Sequence, residues 1–270
     1  RRDSWAGRTT TRLFAKGIRE KVVNDQLSEH ALVPDYPVGC KRVLISSDWY
    51  PTLLRPDVEL VDTPIERIEP SGVTTVDGVH HPADALVFAT GFDTTHFLAH
   101  IPVRGVGGRS LAEEWRAGAH AYLGTMVAGF PNCYLLYGPN TNLGHNSILF
   151  MVERQVNLIL QALALQTDSA DGPSPVVAVD RAAYHDDDIR TQRRLTDTAW
   201  VGACRSWYKD AAGRVVNNWP TWTVRYWYET LRLRPTEVRL VTSTPTAPAG
   251  PAPADATDRP PEPASLSGSA

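Results

Sequence analysis

The 270-residue sequence predicts an α/β fold that also contains antiparallel strands. Short apolar runs with strand character alternate with segments whose apolar residues recur at helical spacing. Asp77-Gly78 lies between two strand candidates, and this dipeptide is typical of a hairpin turn. With 42% hydrophobic and 21% charged residues, the chain has enough apolar surface to build a core.

The first half of the chain contains a helical segment followed by several strand candidates. Residues 8–32 carry apolar side chains at loosely helical spacing, and the segment ends before Pro34. Strands are predicted at Val43–Ile45, Val58–Val61, Ile65–Glu69, Val73–Val76 and Asp84–Gly91. The last of these is apolar on both faces, which is typical of a buried strand in a parallel sheet.

Helices dominate the second half. The most regular is a long helix from Asn146 or Ser147 to about Leu165, whose apolar residues repeat at helical spacing. The other predicted elements are a helix at Leu111–Trp115, a buried strand at Cys133–Tyr137, a helix at Tyr184–Thr198, and an aromatic-rich loop followed by a short helix within 200–228. From about Val241 onward, seven of the 21 prolines and few large apolar side chains predict a disordered tail.

Charge and cysteine content argue against several classes of function. The chain has 27 Lys and Arg against 30 Asp and Glu, which provides no basic field for nucleic acid or an anionic membrane. Its apolar stretches are too short for a membrane span of ~20 residues. Three widely spaced cysteines disfavour a disulfide scaffold and a cysteine zinc site, and predict a reducing cytoplasm and no metal centre. Because the sequence opens with Arg1 close to a predicted helix, we expect it to belong to a longer chain.

Three local features could bind a ligand, and each has an ordinary structural alternative. The Thr90-Gly91 strand end would let the backbone approach a flat ligand, because glycine has no Cβ; it could equally be a simple strand end. The polar loop 138–147 leads into a helix whose free N–H groups favour an anion, although it could be a capped turn. Lys41-Arg42 could hold an anion or form part of a solvated surface.

Several motifs also agree in order and spacing over about residues 34–230. They are, in order, Cys40-Lys41-Arg42, Ser47–Tyr50, the FATGFD strand, Tyr122–Gly124, GFPNCYLLYGPNTNLGHNSI, Ser206–Tyr208 with Gly213, and Trp219-Pro220. Together they resemble the Baeyer–Villiger flavin monooxygenases. The PNTNLGHNS form is most similar to the branch that includes hydroxyacetophenone-type enzymes.

The resemblance implies a two-domain Rossmann-like flavoprotein that binds FAD and NADPH. Such enzymes use a flavin peroxide to insert one oxygen atom of O2 into a small-molecule ketone, giving an ester or lactone. On this basis we expect residues 1–57 to be the return segment of the NADP-binding domain and residues 58–165 the C-terminal part of the FAD-binding domain. Residues 166–240 would form a helical and loop region, and residues 241–270 the tail.

The resemblance also implies individual roles. Arg42 would be the catalytic arginine beside the flavin, because a guanidinium keeps its charge at any working pH and can stabilise a developing anion. Lys41 would lie near the 2′-phosphate of NADPH, and Trp207 would close over bound NADP. The remaining predicted cofactor-binding residues are Thr90, Gly91, Phe92, Asn140, Asn142, Leu143, Asn146 and Ser147.

The sequence departs from the family by lacking both GxGxxG fingerprints and the FxGxxxHxxxW signature between them. We therefore expect a partial fold without its N-terminal half, with apolar faces that require this half as a partner. Two alternatives stay open at this point. The chain could belong to a flavin monooxygenase that oxygenates sulfur or nitrogen, or it could be a non-catalytic remnant that binds no flavin by itself.

Overall fold

A computed structural model describes residues 5–21, 32–166, 175–202 and 205–241. The predicted tail beyond Val241 and residues 22–31 of the first helical segment lie outside the described residues. The elements are α1 (Trp5–Lys21), α2 (Trp49–Leu53), β1 (Ile65–Glu69), β2 (Gly72–Thr75), β3 (His80–Pro82), α3 (Leu111–Glu114), α4 (Ile148–Ala164), β4 (Val176–Val179), α5 (Arg181–Leu195), α6 (Thr223–Glu229) and β5 (Val238–Val241).

Strands β1, β2 and β3 form an antiparallel sheet in chain order, which confirms the predicted hairpin. Gly78 adopts a positive φ of 84°, and the Asp77 carboxylate accepts a hydrogen bond from the Thr75 hydroxyl at 2.5 Å. The turn closes where the Thr75 N–H donates to the carbonyl of Val79. The Asp-Gly pair therefore acts as its chemistry predicts, with glycine in the left-handed region.

The main core lies in the second half of the chain. Strands β4 and β5 pair antiparallel, and the aperiodic segment 119–130 packs between them and helices α4 and α5. The core is formed by Leu111, Tyr122, Met126, Phe130, Leu158, Val177, Tyr184 and Val238, among others. Sequence periodicity missed both strands, because each has only four residues and the two are 59 positions apart at their closest ends, Val179 and Val238.

Helices are predicted more accurately than strands. Helix α4 matches its expected span, with Ser147 at the N-cap position, although the Ser147 side chain makes no capping bond. Helix α5 begins earlier than predicted because the Asp180 carboxylate accepts hydrogen bonds from the N–H groups of Ala182 and Ala183. A side-chain cap therefore sets the start of α5, whereas the start of α4 has no such bond from its N-cap residue.

Four predicted strands are wrong in this structure. Residues 43–45 and 84–91 are extended but lie in no ladder of the described residues, and 58–61 is likewise irregular. Within 133–137, only Tyr134 makes an isolated bridge, to Met126. Segments 43–45 and 84–91 are exposed, with Ile45 at 99% and Val87 at 92%, whereas Cys133, Tyr134 and Leu135 are half-buried against the main core. A strand needs a neighbour for its backbone hydrogen bonds, and the described residues supply none at these positions.

Cysteine chemistry also differs from the expectation. Cys40 is completely buried and disulfide-bonded, although the spacing of the cysteines disfavoured a disulfide scaffold. Cys133 is a free thiol whose pKa is raised by burial. Within the described part of the chain, none of the helices is both long and apolar enough to cross a bilayer.

Candidate cofactor and active site

The loop Gly138–Leu143 is held along its length by the segment 215–219. The N–H of Asn140 donates to the carbonyl of Val216 at 2.7 Å, and the N–H of Asn142 donates to that of Asn217 at 2.9 Å. The N–H of Trp219 returns a bond to the Asn142 carbonyl at 2.9 Å. The polar loop is therefore a fixed backbone structure, whose groups are paired 75 residues away in sequence.

The side chains of the loop extend this pairing. The Asn140 amide donates to the carbonyls of Val215 and Asn218 at 3.0 and 3.1 Å. The Asn142 amide donates to the side-chain oxygen of Asn218 at 2.5 Å. The side-chain oxygen of Asn140 is buried and accepts no hydrogen bond from the described residues. The predicted residues Asn140, Asn142 and Leu143 are all buried, so they shape the loop more than they line an open surface.

Helix α4 supports the same loop from the opposite side. Gln155 is completely buried, and its side-chain oxygen accepts a hydrogen bond from the Tyr137 N–H at 2.9 Å. The Tyr137 hydroxyl in turn donates to the side-chain oxygen of Asn142 at 2.8 Å. Tyr137 thus connects the helix to a predicted cofactor-binding residue.

Lys41 and Arg42 line a cavity of about 880 Å³ between α1, α2 and the connecting loop. The Lys41 ammonium lies 4.5 Å from the centre of the Tyr36 ring, a cation–π contact. Burial raises the pKa of the Tyr137 and Tyr208 phenols, and the nearby charge of Arg42 opposes this rise at both. Arg42 therefore acts electrostatically on both the polar loop and the Trp207-Tyr208 segment.

Trp207 is connected to the extended segment that contains Thr90 and Gly91. The carbonyl of Trp207 accepts hydrogen bonds from the Thr94 hydroxyl at 2.7 Å and from the Asn217 amide at 2.8 Å. Its ring packs on Tyr208 with centroids 4.4 Å apart. Thr90, Gly91 and Phe92 themselves are exposed, and Phe92 reaches 94% exposure.

The start of helix α4 is open to solvent. Asn146 and Ser147 are exposed, and the Asn146 side-chain oxygen accepts a hydrogen bond from the Ser147 N–H at 2.8 Å. The Asn146 amide donates to the Thr223 hydroxyl at 3.0 Å, which ties this corner to α6. His145 makes an edge contact with Trp222 at 5.9 Å. No group of three or more His, Cys, Asp or Glu side chains suited to a metal ion occurs among the described residues.

Part of the predicted site is joined by hydrogen bonds. The loop containing Asn140 and Asn142 and the carbonyl of Trp207 bond to the segment 215–219, and Thr94 links residues 90–92 to Trp207. Lys41 and Arg42 line a cavity formed by residues between Thr11 and Leu54, and their place in a common site stays a prediction. Sequence reasoning missed Tyr137, Gln155, Asn217 and Asn218. The Asn217-Asn218 pair before Trp219-Pro220 is visible in the sequence, but its partners lie more than 70 positions away and no local pattern reveals them.

Comparison with known proteins defines the class to which this arrangement belongs. No protein-family model matches the chain. It is 38% identical over 237 residues to a Baeyer–Villiger monooxygenase of Streptomyces coelicolor, covering 86% of this chain and 44% of the relative. It is 42% identical over 205 residues to an FAD-binding monooxygenase of Aspergillus niger, covering 75% of this chain and 34% of the relative.

Structural comparison agrees. A steroid monooxygenase solved in its oxidised form bound to NADP superposes with a TM-score of 0.77 at 29% identity, over 89% of this chain and 46% of that one. The fold is therefore that of a flavin monooxygenase, present in part, as the sequence predicted. Within that class, the chain is similar to one portion of the Baeyer–Villiger monooxygenases. It spans less than half the length of the relatives it matches.

Proposed function

We propose that this chain contributes to an FAD- and NADPH-dependent monooxygenase that inserts one oxygen atom of O2 into a ketone to give an ester or lactone. The observation that carries the proposal is the position of Arg42 in the lining of a cavity of about 880 Å³, near enough to Tyr137 and Tyr208 for its charge to oppose the rise in the pKa of both phenols. The names of the relatives support the reaction class. An aryl ketone is the substrate class that the PNTNLGHNS loop favours.

The residues present fit the two cofactors by their chemistry. Lys41 and Arg42 share their cavity with the hydroxyl-bearing residues Ser46 and Ser47, a donor set suited to the phosphates of NADPH. Near the polar loop, Asn140 keeps a buried oxygen without a partner in the described chain, and the N-terminus of α4 is open beside it. Lys41 and Trp207 would hold NADPH; Thr90, Gly91, Phe92, Asn140, Asn142, Leu143, Asn146 and Ser147 would hold FAD.

Bound FAD, reduced by NADPH, would supply the oxygen-transfer chemistry. The role of Arg42 follows from its own properties. Its guanidinium is planar and charged, and none of the ion pairs among the described residues involves it, so its charge is available to a ligand. Aimed at the ketone oxygen, it would stabilise negative charge as the carbonyl is attacked. The disulfide-bonded Cys40 anchors the chain immediately before these two cations.

The proposal includes a polypeptide partner that corresponds to the missing half of the relatives. Leu44, Ile45, Val87, Phe88 and Phe92 are each more than 70% exposed, in segments that have strand character but no pairing in the described chain. Parallel strands are ordinarily covered on both faces, so a parallel sheet added beside these segments would bury them. The proposal also includes the predicted domain boundaries after residues 57, 165 and 240. The main core contains residues of both 58–165 and 166–240. A cytoplasmic location also stays a prediction.

The first test is the visible spectrum of the purified chain after incubation with FAD and desalting. It would be recorded alone and with the N-terminal half of a relative added as a separate polypeptide. We expect flavin bands to be retained with the added half. A colourless protein under both conditions would contradict the proposal and favour a non-catalytic remnant.

The second test separates the reaction classes. The assembled protein would be assayed for NADPH oxidation and product with an aryl methyl ketone and with a thioether, and ester formation is the expected outcome. Arg42→Lys should lower turnover by ~10²-fold, because an ammonium cannot reproduce the planar donor pair. The control is Arg55→Lys, at an exposed arginine paired with Asp57. Sulfoxide without ester would show the alternative chemistry.

A further inference from the structure

Helix α4 contains one buried amide that bridges the two tightest turns of the candidate site. The side-chain oxygen of Gln155 accepts from the Tyr137 N–H at 2.9 Å, and its side-chain nitrogen donates to the carbonyl of Gly124 at 2.8 Å. Tyr137 has a φ of 56° and Gly124 a φ of 67°, so both bonded backbones are in the left-handed region. For Tyr137 this conformation is strained and must be held by its surroundings.

The two turns are pressed against each other at this point. A Cβ on Gly138 would lie 2.4 Å from the carbonyl oxygen of Gly124, and a Cβ on Gly124 would lie 2.0 Å from a methyl carbon of Thr141. A side chain with both a donor and an acceptor can satisfy the C=O of one turn and the N–H of the other, as the Gln155 amide does.

Gln155 also acts on the predicted cofactor residues through Tyr137. Once its backbone is fixed, the Tyr137 hydroxyl donates to Asn142, and the Asn142 amide donates to Asn218. The chain of hydrogen bonds therefore runs from the interior of α4 to the loop expected to face the flavin. Gln155, Asn142 and Asn218 are buried and Tyr137 is partly exposed, so most of these bonds lie where water cannot replace a lost partner.

We propose that Gln155 is a positioning residue, which sets the conformation of the loop Gly138–Leu143 and thereby the affinity of the site for flavin. The claim about flavin affinity rests on the proposed function. The claim about loop conformation rests on the hydrogen bonds alone. Gln155 touches no reacting group, and its effect is transmitted through Tyr137 and Asn142.

The same helix provides a matched control. The Gln161 side-chain oxygen accepts from the Leu233 N–H at 2.8 Å, and its nitrogen donates to the carbonyl of Leu231 at 3.2 Å. It is thus a second glutamine on α4 that bridges two backbone groups, but in the connection after α6. Gln155→Leu and Gln161→Leu each remove from helix α4 a side-chain amide that bonds one backbone N–H and one backbone carbonyl.

The experiment measures hydrogen exchange of the full chain in the wild type, Gln155→Leu, Gln155→Glu and Gln161→Leu. We expect the amide of Tyr137 and those of the loop to exchange at least tenfold faster in Gln155→Leu and less than threefold faster in Gln161→Leu. Gln155→Glu keeps the acceptor and should restore protection at Tyr137 in part. Equal exchange of the loop in the two leucine variants would overturn the inference.

Flavin binding is then titrated with the same four proteins and the added N-terminal half. A dissociation constant raised tenfold in Gln155→Leu but unchanged in Gln161→Leu supports both proposals. Flavin bound equally by all four shows that the positioning role is wrong and leaves the proposed function intact. If the wild type binds no flavin while loop exchange responds only at Gln155, the proposed function fails and the loop role stands.

Discussion

Two regions of this molecule differ in the burial of their apolar residues. From Leu111 to Val238, residues such as Leu158 and Tyr226 are completely buried, Leu158 in the main core and Tyr226 in a second cluster with Leu143, Met151 and Trp219. Between Val43 and Phe92, residues with equal hydrophobicity are exposed, among them Ile45 at 99% and Val87 at 92%. The difference shows that apolar composition marks a segment for burial without determining which partner buries it.

Helix α4 contains one buried and one exposed leucine two positions apart. Substitution of the buried leucine has the largest expected effect on stability. Leu158 is fully buried, whereas Leu160 is 59% exposed. Leu158→Ala should destabilise the chain by about 4 kcal/mol, through lost burial and the cavity left behind. Leu160→Ala should change the unfolding free energy by less than about 0.5 kcal/mol. Urea denaturation of both variants measures this, and similar losses would mean that the outer face of α4 is also packed.

The buried region also contains two titratable groups that should make folding stability depend on pH. Burial lowers the pKa of His120 to about 4, and it raises the pKa of Asp187 to about 6. Between pH 6.5 and 4 the unfolded chain binds a proton at residue 120 that the folded chain does not, so acidification destabilises by about 3 kcal/mol. At residue 187 the folded chain binds the extra proton below pH 6, so acidification stabilises by a similar amount.

The two groups therefore oppose each other in the wild type, and substitution separates them. Asp187→Asn should leave a protein that loses stability on going from pH 6.5 to 4.5. His120→Gln should leave one that gains stability over the same interval. Unfolding free energies at the two pH values give the slopes, and slopes of the same sign in both variants would contradict the assignment.

A smaller effect on stability is expected when two glycines of the polar loop are each replaced by alanine. A Cβ at Gly138 would meet the Gly124 carbonyl oxygen at 2.4 Å, whereas a Cβ at Gly144 would meet nothing within 4 Å. Gly138→Ala should cost about 2 kcal/mol by overpacking, and Gly144→Ala should be close to neutral. Thermal unfolding of the two variants decides this. A neutral Gly138→Ala would show that the two turns are not in contact.

The smallest effect on stability is expected in the exposed region. Val87→Thr with Phe88→Ser should leave the unfolding free energy within about 0.5 kcal/mol of the wild type, because both side chains are largely exposed. The same change should raise solubility and lower binding of the added N-terminal half. Sedimentation and a pull-down with that half provide the measurements. A large loss of stability would show that this segment is already packed in the isolated chain.

Local chemistry determined much of the structure directly from the sequence. The Asp77-Gly78 turn, the span of α4 and most of α5 depend on interactions within a few residues, and the motifs from Cys40 to Trp219 identified the family. The motifs also singled out Trp207 and the polar loop, which both hydrogen-bond to Asn217. These features could be predicted because each depends on near neighbours or on a shared order of motifs.

Tertiary structure alone decided which predicted strands pair and what holds the polar loop. Residues 84–91 look like a buried strand in the sequence, yet a ladder and a covered face must come from other segments, and the described residues offer none. Gln155 and Asn218 look like ordinary polar residues until the fold brings them beside Tyr137 and Asn142. Hydrogen bonds between residues 18 and 76 positions apart leave no local periodicity, so only the folded chain reveals them.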